Sequence, residues 1–198
     1  MSVRAGRPLE RAFFRGDTQS VAEKLLGARL VHTALEGTTI GRIVEVEAYL
    51  AEDDPASHSA RGPTDRNASM FLAPGHAYVY LIYGLHHCFN VVTARAGAGA
   101  AVLIRALEPL AGLELMMERR GALRPRDLCS GPGKLAQAMG LTRAHDGRDL
   151  TSGAIHLLPP EPGWRGGPVA ASRRVGISKA AERELRYSLA SCPWSSRP

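Results

Sequence analysis

The sequence is poor in lysine and cysteine, and it lacks a long apolar run. No stretch approaches the ~18 consecutive apolar residues that a membrane-spanning helix needs. The amino-terminal segment MSVRAGRPLERAFF is too highly charged to act as a secretory leader. We therefore expect a cytoplasmic protein, associated with the nucleoid if it is bacterial, with no membrane partner.

The three cysteines, Cys88, Cys129 and Cys192, lie far apart in the chain. An odd number without a CxxC spacing supports neither a disulfide framework nor a zinc or redox motif. His86 and His87 are adjacent, so on a strand they point to opposite faces and do not readily share one ion. We therefore expect no metal site.

Lysine is so rare that arginine supplies 22 of the 25 basic residues, and the formal net charge is +6. The planar guanidinium group matches phosphate geometry, so a nucleic-acid partner is one explanation of this bias. A GC-rich genome would also favour arginine, alanine and glycine in any protein. Charge alone leaves both explanations open.

Local patterns predict one domain over residues 1–198, with strands in the majority in its first half. A short helix capped by Asp17 or Thr18 ends at Gly27, and strand pairs surround the Glu36-Gly37 and Tyr83-Gly84 turns. A long loop is predicted over 51–69. Strands are predicted at AVLIRALEP and, late in the chain, at VAASRRVGIS, and helices at PLAGLELMMERRG and SGPGKLAQAMG. Hairpin-like connections favour an α+β fold with a largely antiparallel sheet.

Two carboxylates interrupt an otherwise regular strand, IVEVEAYL. Strict alternation places Ile43, Glu45, Glu47 and Tyr49 on one face of it. A solvent-facing strand could have this pattern without any function, whereas a functional pair needs a nearby cation. Arg105, within the apolar strand AVLIRALEP, can supply that cation unless it lies on an edge strand and faces solvent.

Tyrosines cluster in the segment YVYLIYG. Tyr78 and Tyr80 share a face and could pack in the core, whereas Tyr83 precedes Gly84 at a predicted hairpin tip, where it suits a wedge or a stacking group.

SGPGK is not a Walker loop, because Leu128 and Leu135 occupy positions that require Gly and Ser or Thr. Lys134 and the glycines around it still suit a single backbone phosphate.

Taken together, these stretches resemble the alkyladenine DNA glycosylases, also called N-methylpurine or 3-methyladenine DNA glycosylases. The resemblance covers residues 42 to about 194 in the family's order: RIVEVEAYLAEDDPASHS, MFLAPGHAYVYLIYGLHHCFN, VLIRALEPLAGLE, DLCSGPGKL with DGRDL, SRRVGIS and CPW. It implies a curved antiparallel sheet with surrounding helices. It also implies a monomer that acts on double-stranded DNA containing damaged purines, without a metal or other cofactor.

The resemblance also implies roles for particular residues. Glu47 matches the general base that activates a water, and Arg105 and the Val175 carbonyl match groups that hold this water. Tyr49, His58 and Tyr80 match the pocket around the flipped base, and Asn90 matches the residue that disfavours guanine. The residues expected to face the DNA are Tyr83 as the wedge, Leu85 in the groove, Tyr78, Met70 and Lys134.

The sequence departs from the vertebrate pattern at Leu85-His86, where those members carry Met and Tyr. Glu45 has a counterpart without an assigned role, and we expect it to be a structural partner of a cation or amide.

No lysine lies near the motif strands to form a Schiff base, which predicts a monofunctional enzyme that leaves an abasic site. The alternatives are a non-catalytic DNA-binding protein on the same scaffold and a metal-dependent hydrolase that uses His58, His87 and Cys88.

Overall fold

The computed structural model describes residues 6–122 and 124–196. The strands are β1 Arg29–Ala34, β2 Gly37–Tyr49, β3 Ala77–Ile82, β4 His86–Thr93, β5 Ala100–Ala111, β6 Ile155–Leu158, β7 Val169–Ser172 and β8 Arg186–Leu189. The helices are α1 Arg11–Phe14, α2 Thr18–Leu25, α3 Leu113–Arg120 and α4 Pro132–Met139. Short 3-10 turns lie at Ala68–Phe71, Pro125–Asp127 and Arg143–His145.

All strand pairings within the described residues are antiparallel, and they form one curled sheet. The order is β3-β4-β5-β2-β1-β6, and β8 joins the second half of β2 and pairs with β7. This arrangement confirms the predicted α+β class with a curved antiparallel sheet. It also makes β5 a central strand, so Arg105 is not an edge-strand arginine.

Two irregularities in the pairing of β2 with β5 bring charged residues together. Ile43 pairs with Leu107 and Glu45 with Ala106, so Val44 has no partner; Val46 then pairs with Ile104, so Arg105 has none. A residue that bulges out of a ladder resets the alternation of faces. Ile43 accordingly packs in the main core with Val46, and the predicted shared face of Ile43 and Glu45 is wrong.

The helices cover one face of the sheet and close the main core. In α2, Asp17 accepts a hydrogen bond from the Ser20 amide, as the predicted cap requires, and Val21 and Leu25 are buried. The α4 helix packs against β4, β5 and α3. The strands β6 and β8 are absent from the sequence-based prediction, because four residues carry too little periodicity to reveal them.

The outer edge of β3 is covered by side chains. The Val79 amide donates to Asp146 Oδ1 at 2.8 Å, and the Val79 carbonyl accepts from Arg143 at 2.8 Å. The Leu81 carbonyl accepts from Arg66 at 3.2 Å. Three of the backbone groups that face away from β4 at these two positions therefore have side-chain partners.

Candidate active site

A cavity of about 270 Å³ opens where β2, β3, β4 and β5 meet the loop after β2 and the segment before β8. This volume is just below the roughly 300–1,000 Å³ that ligand pockets span, so it suits a small planar group. Nine predicted site residues line it: Tyr49, His58, Met70, Tyr78, Tyr80, Tyr83, Asn90, Arg105 and Val175.

Glu47 lies directly behind the cavity wall and is fully buried. Its Oε1 accepts a hydrogen bond from the Val175 amide at 2.7 Å, and its Oε2 accepts one from the Tyr49 hydroxyl at 2.9 Å. Arg105 Nη1 lies 3.1 Å from Oε1. All three partners line the cavity although Glu47 does not, so the carboxylate is held behind the cavity wall by residues that face the open space.

Arg105 bridges the two carboxylates of β2. Its Nε donates to Glu45 Oε1 at 2.8 Å, while Nη1 faces Glu47. Glu45 is also fully buried and accepts from the Ser196 amide at 2.6 Å and the Ser196 hydroxyl at 2.8 Å. Glu45 is therefore bonded to a cation and an amide, as expected for a structural partner.

Burial is the largest influence on Glu47 and raises its pKa above the ordinary value of 4.5, although Arg105, the Val175 amide and the Tyr49 hydroxyl oppose this shift. Burial also raises the pKa of Tyr49 and of Tyr80 far above the ordinary 10.0. Both hydroxyls therefore stay protonated at physiological pH. The result is a carboxylate with a raised pKa behind a neutral aromatic wall.

One wall of the cavity is a contact between rings. His58 and Tyr80 lie 4.5 Å apart between ring centroids, edge to face, and His58 Nδ1 lies 2.8 Å from the Tyr78 hydroxyl. Partial burial of the imidazole, with a contribution from Arg66, lowers the pKa of His58, which favours its neutral form. Asn90 is buried on this side and donates to the Tyr78 carbonyl at 2.9 Å.

The structure corrects the placement of two residues that the resemblance grouped with the DNA-facing set. Tyr78 is 1% exposed and Met70 is 2% exposed, so neither side chain can reach a DNA groove or backbone. They pack together in a small cluster with Val92 and Ala101 behind the cavity. Their place is in the wall of the pocket.

The hairpin between β3 and β4 presents an apolar tip. Tyr83 is 82% exposed and Leu85 is 76% exposed, as a wedge and a groove contact would require. Tyr83 and Gly84 have φ values of 53° and 68°, and the Leu85 amide donates to the Ile82 carbonyl at 3.1 Å, which together describe a two-residue primed turn. A left-handed conformation is unfavourable for tyrosine, so the turn geometry alone does not explain this residue.

The tip is supported from below by the start of α4. A side chain at Gly133 would place its Cβ 3.0 Å from His86 Cβ, so any larger residue would require His86 to shift. Pro132 lines the cavity, and Lys134 is exposed at the helix start with its Nζ 3.4 Å from Ser130 Oγ. The residue predicted to contact a phosphate is therefore exposed and lies two positions after a residue that lines the cavity.

Comparison with known proteins identifies the family of the chain. The profile of the family described as Methylpurine-DNA glycosylase (MPG) matches residues 12–193, which is most of the chain. The chain belongs to the methylpurine-DNA glycosylase family. The matched range includes the cavity, Glu47 and the hairpin tip.

Relatives in this family align along almost the whole chain. A protein of Methanoculleus marisnigri is 53% identical over 191 residues, which is 96% of this chain and 98% of the relative. Proteins of Rhodopseudomonas palustris and Nitrosospira multiformis are 50% and 47% identical and cover 100% and 93% of this chain, and 94% and 92% of their own lengths. All three carry the name "Putative 3-methyladenine DNA glycosylase".

The histidines and cysteines do not form a metal site in the part of the chain that the structure describes. His58 and Cys88 line the cavity, whereas His87 lines a separate groove beside Leu85. No group of three or more potential metal ligands occurs in residues 6–122 and 124–196. Over the same residues, no helix combines the length and apolar character that a membrane crossing needs.

Sequence reasoning missed one pair of residues at the site of this family member. Asp54, in the loop after β2, and Arg174, beside Val175, form a buried ion pair with Nη1–Oδ2 at 2.6 Å. Both belong to segments that carry the family resemblance, but they are 120 positions apart. The adjacent Arg173 has the same chemistry and is exposed, so the sequence offers no signal for which arginine is buried.

Proposed function

We propose that this chain excises damaged purines from double-stranded DNA by hydrolysing the bond between base and deoxyribose, with Glu47 as the general base. The observation that carries the proposal is the buried Glu47 carboxylate, which Arg105, Tyr49 and Val175 hold directly behind the wall of a base-sized aromatic cavity. A carboxylate on a strand is held more precisely than one on a loop, which suits it to orienting a water.

The residues suggest a sequence of steps. Tyr83 enters the duplex as the target nucleotide leaves it, and the base enters the space between Tyr49 and the wall made by His58 and Tyr80. Stacking on these rings favours electron-poor alkylated purines, and a cationic lesion adds a cation–π contribution of about 1 kcal/mol. Asn90 crowds the 2-amino group of guanine.

Glu47 then takes a proton from the water that attacks C1′, while the Val175 carbonyl and Arg105 hold that water. An ionised carboxylate has about four acceptor positions, and Oε2 has only the Tyr49 hydroxyl as a partner among the described residues. Oε2 therefore keeps the capacity to accept from a water once the nucleotide is bound. The C1′–N bond breaks, the base leaves with the bonding electrons, and the water oxygen bonds to C1′.

The proposed enzyme is a monomeric, monofunctional glycosylase that leaves an abasic site. None of the cavity-lining residues in the described part of the chain is a lysine. Lys179 lies nearer than its sequence position suggests, because it lines a second groove that shares His58, Gly176 and Ile177 with the cavity. It is therefore the lysine to examine for Schiff-base chemistry.

The first experiment uses duplexes that each carry one hypoxanthine, 1,N6-ethenoadenine, 3-methyladenine or 7-methylguanine, incubated with the protein in EDTA. We expect strand cleavage at one or more lesions only after alkali, and no DNA adduct after borohydride reduction. A borohydride adduct that disappears in Lys179→Arg would replace the monofunctional mechanism by a lyase. No excision of any lesion would favour the non-catalytic DNA-binding alternative, and activity that EDTA abolishes would favour a metal-dependent hydrolase.

The pH dependence of excision tests the ionisation of Glu47. A base acts in its ionised form, so the single-turnover rate should fall as pH decreases through the raised pKa of Glu47, with a midpoint above 4.5. The protonated Tyr49 and Tyr80 should cause no loss of rate up to about pH 9. DNA binding measured at the same pH values separates chemistry from affinity. A rate that increases toward acid pH would argue against Glu47 as the base.

Replacement of Tyr83 tests the wedge. Asparagine tolerates a left-handed φ, so Tyr83→Asn should preserve the turn while removing the ring. Because aromatic stacking on a base contributes about 1–3 kcal/mol, we expect excision from duplex DNA to fall roughly 10- to 100-fold. Tyr83→Phe should remain within a few-fold of wild type. Equal rates for the two variants would show that the ring does not act as a wedge.

A further inference from the structure

A buried ion pair connects the two segments that flank the cavity. Arg174 Nη1 and Nη2 donate to the two oxygens of Asp54 at 2.6 and 2.7 Å, and both side chains are fully buried. Asp54 lies in the loop that carries His58, while Arg174 directly precedes Val175. A two-point pairing of this kind sets orientation as well as distance, so the two segments are held in one relative position.

The same pair also forms hydrogen bonds at the end of β2. Arg174 Nη1 donates to the Ala48 carbonyl at 3.0 Å, and its guanidinium carbon lies 4.7 Å from the centre of the Tyr49 ring. Asp54 Oδ2 in turn accepts from the Leu50 amide at 3.0 Å. Arg174 therefore contacts or adjoins both residues that donate hydrogen bonds to Glu47, namely Tyr49 and Val175.

We propose that Asp54 and Arg174 are a positioning pair, which holds the Tyr49 hydroxyl and the Val175 amide on the Glu47 carboxylate. The inference rests on the proposed function of Glu47 as the base. A buried ion pair is a poor device for stability, since an apolar pair of similar volume is often as stable or more so. The pair lies between the long loop, the end of β2 and the Val175 segment. A role in holding the Tyr49 and Val175 donors in position explains this location.

The proposal predicts an effect on the ionisation of Glu47 itself. The titratable or charged groups that act on this carboxylate come from several elements: Arg105 on β5, Glu45 and Tyr49 on β2, Cys88 on β4, and Arg174 before β8. The Val175 amide and the Tyr49 hydroxyl both favour the ionised form. If the pair is weakened and these donors move away, the pKa of Glu47 should increase further.

The test compares Arg174→Lys and Asp54→Asn with the control Arg42→Lys. Arg42 also lies on β2 and pairs with Glu108, outside the cavity. Glu47 is titrated by carbon NMR of its carboxyl group in the free protein, with the signal assigned through Glu47→Gln. Single-turnover excision from lesion-containing duplex is measured in parallel. We expect a raised Glu47 pKa and an excision rate about 10²-fold lower in both pair variants, and neither change in Arg42→Lys.

A double substitution gives a second readout. When Tyr49→Phe is combined with Arg174→Lys, the increase in the Glu47 pKa should be smaller than the sum of the two single increases, because both act through one hydroxyl. A slower rate with an unchanged Glu47 pKa would overturn the positioning role, and so would the failure of both pair variants to fold. The titration needs no substrate. A wild-type protein that excises nothing would therefore refute the proposed function while leaving the effect of the pair on Glu47 measurable.

Discussion

Glu47→Gln is expected to lower the rate of base excision by about 10²–10⁴-fold, the usual contribution of a positioned general base. The amide has the same shape as the carboxylate and can still accept from the Val175 amide, but it cannot remove a proton from water. The measurement is single-turnover cleavage of a lesion-containing duplex at saturating protein, with DNA affinity measured separately. Affinity should remain within a few-fold of wild type, since Glu47 does not line the cavity.

The stability of the same variant separates lost chemistry from lost folding. Because burial raises the pKa of Glu47, the folded protein is stabilised by protonation of this group, and that stability is lost as pH rises through its folded pKa. The neutral amide avoids this loss, so Glu47→Gln should melt at or above the wild-type temperature at neutral pH. Glu108→Gln, at a carboxylate of β5 outside the cavity, serves as the control for activity. If Glu47→Gln kept its rate within tenfold of wild type, Glu47 would not be the base.

Arg105→Met is expected to have the largest effect on stability. Methionine fills a similar volume, but it leaves the buried Glu45 and Glu47 without the cation between them. Removal of one partner of a buried ion pair typically costs about 3–5 kcal/mol, and we expect the free energy of unfolding at neutral pH to fall by that amount. Denaturant titration at several pH values would measure it.

The pH dependence of this variant identifies the cause. Arg105 lowers the pKa of Glu47, so without it that pKa should increase, and part of the lost stability should return as the pH falls through the new value. Arg105→Met combined with Glu47→Gln should recover stability relative to Arg105→Met alone, since one buried negative charge is then absent. Equal losses in the single and double variants would show that packing, rather than charge, explains the effect.

Local signals predicted much of this fold. Three kinds of feature depend on only a few neighbouring residues: the Asp17 cap, the Tyr83-Gly84 turn, and the glycines Gly121 and Gly140 at the ends of α3 and α4. The structure has them where the sequence predicts. The bulge at Val44 was not predictable. It depends on the register of β2 against β5, and the residues that pair there lie far apart in the sequence. Its consequence is large, since it turns Glu45 away from the face of Ile43.

The candidate site was predictable where family motifs carry it and unpredictable where long-range packing decides. The spacing of Glu45 and Glu47 indicates that the two carboxylates need a nearby cation. Whether Arg105 can supply it depends on the central position of β5, and that position follows from the order of strands in the sheet. The burial of Tyr78 likewise depends on which face of β3 meets the core, and alternation leaves both choices open. The pairing of Asp54 with Arg174 has no local signature at all.

The covered edge of β3 has a consequence for how the protein survives in a crowded cell. The hairpin with the exposed apolar tip places β3 at the margin of the sheet, and an open margin invites another chain to add a strand. Asp146, Arg143 and Arg66 bond three of the backbone groups that such a chain would use. Fewer groups of this edge therefore remain available for pairing with another chain.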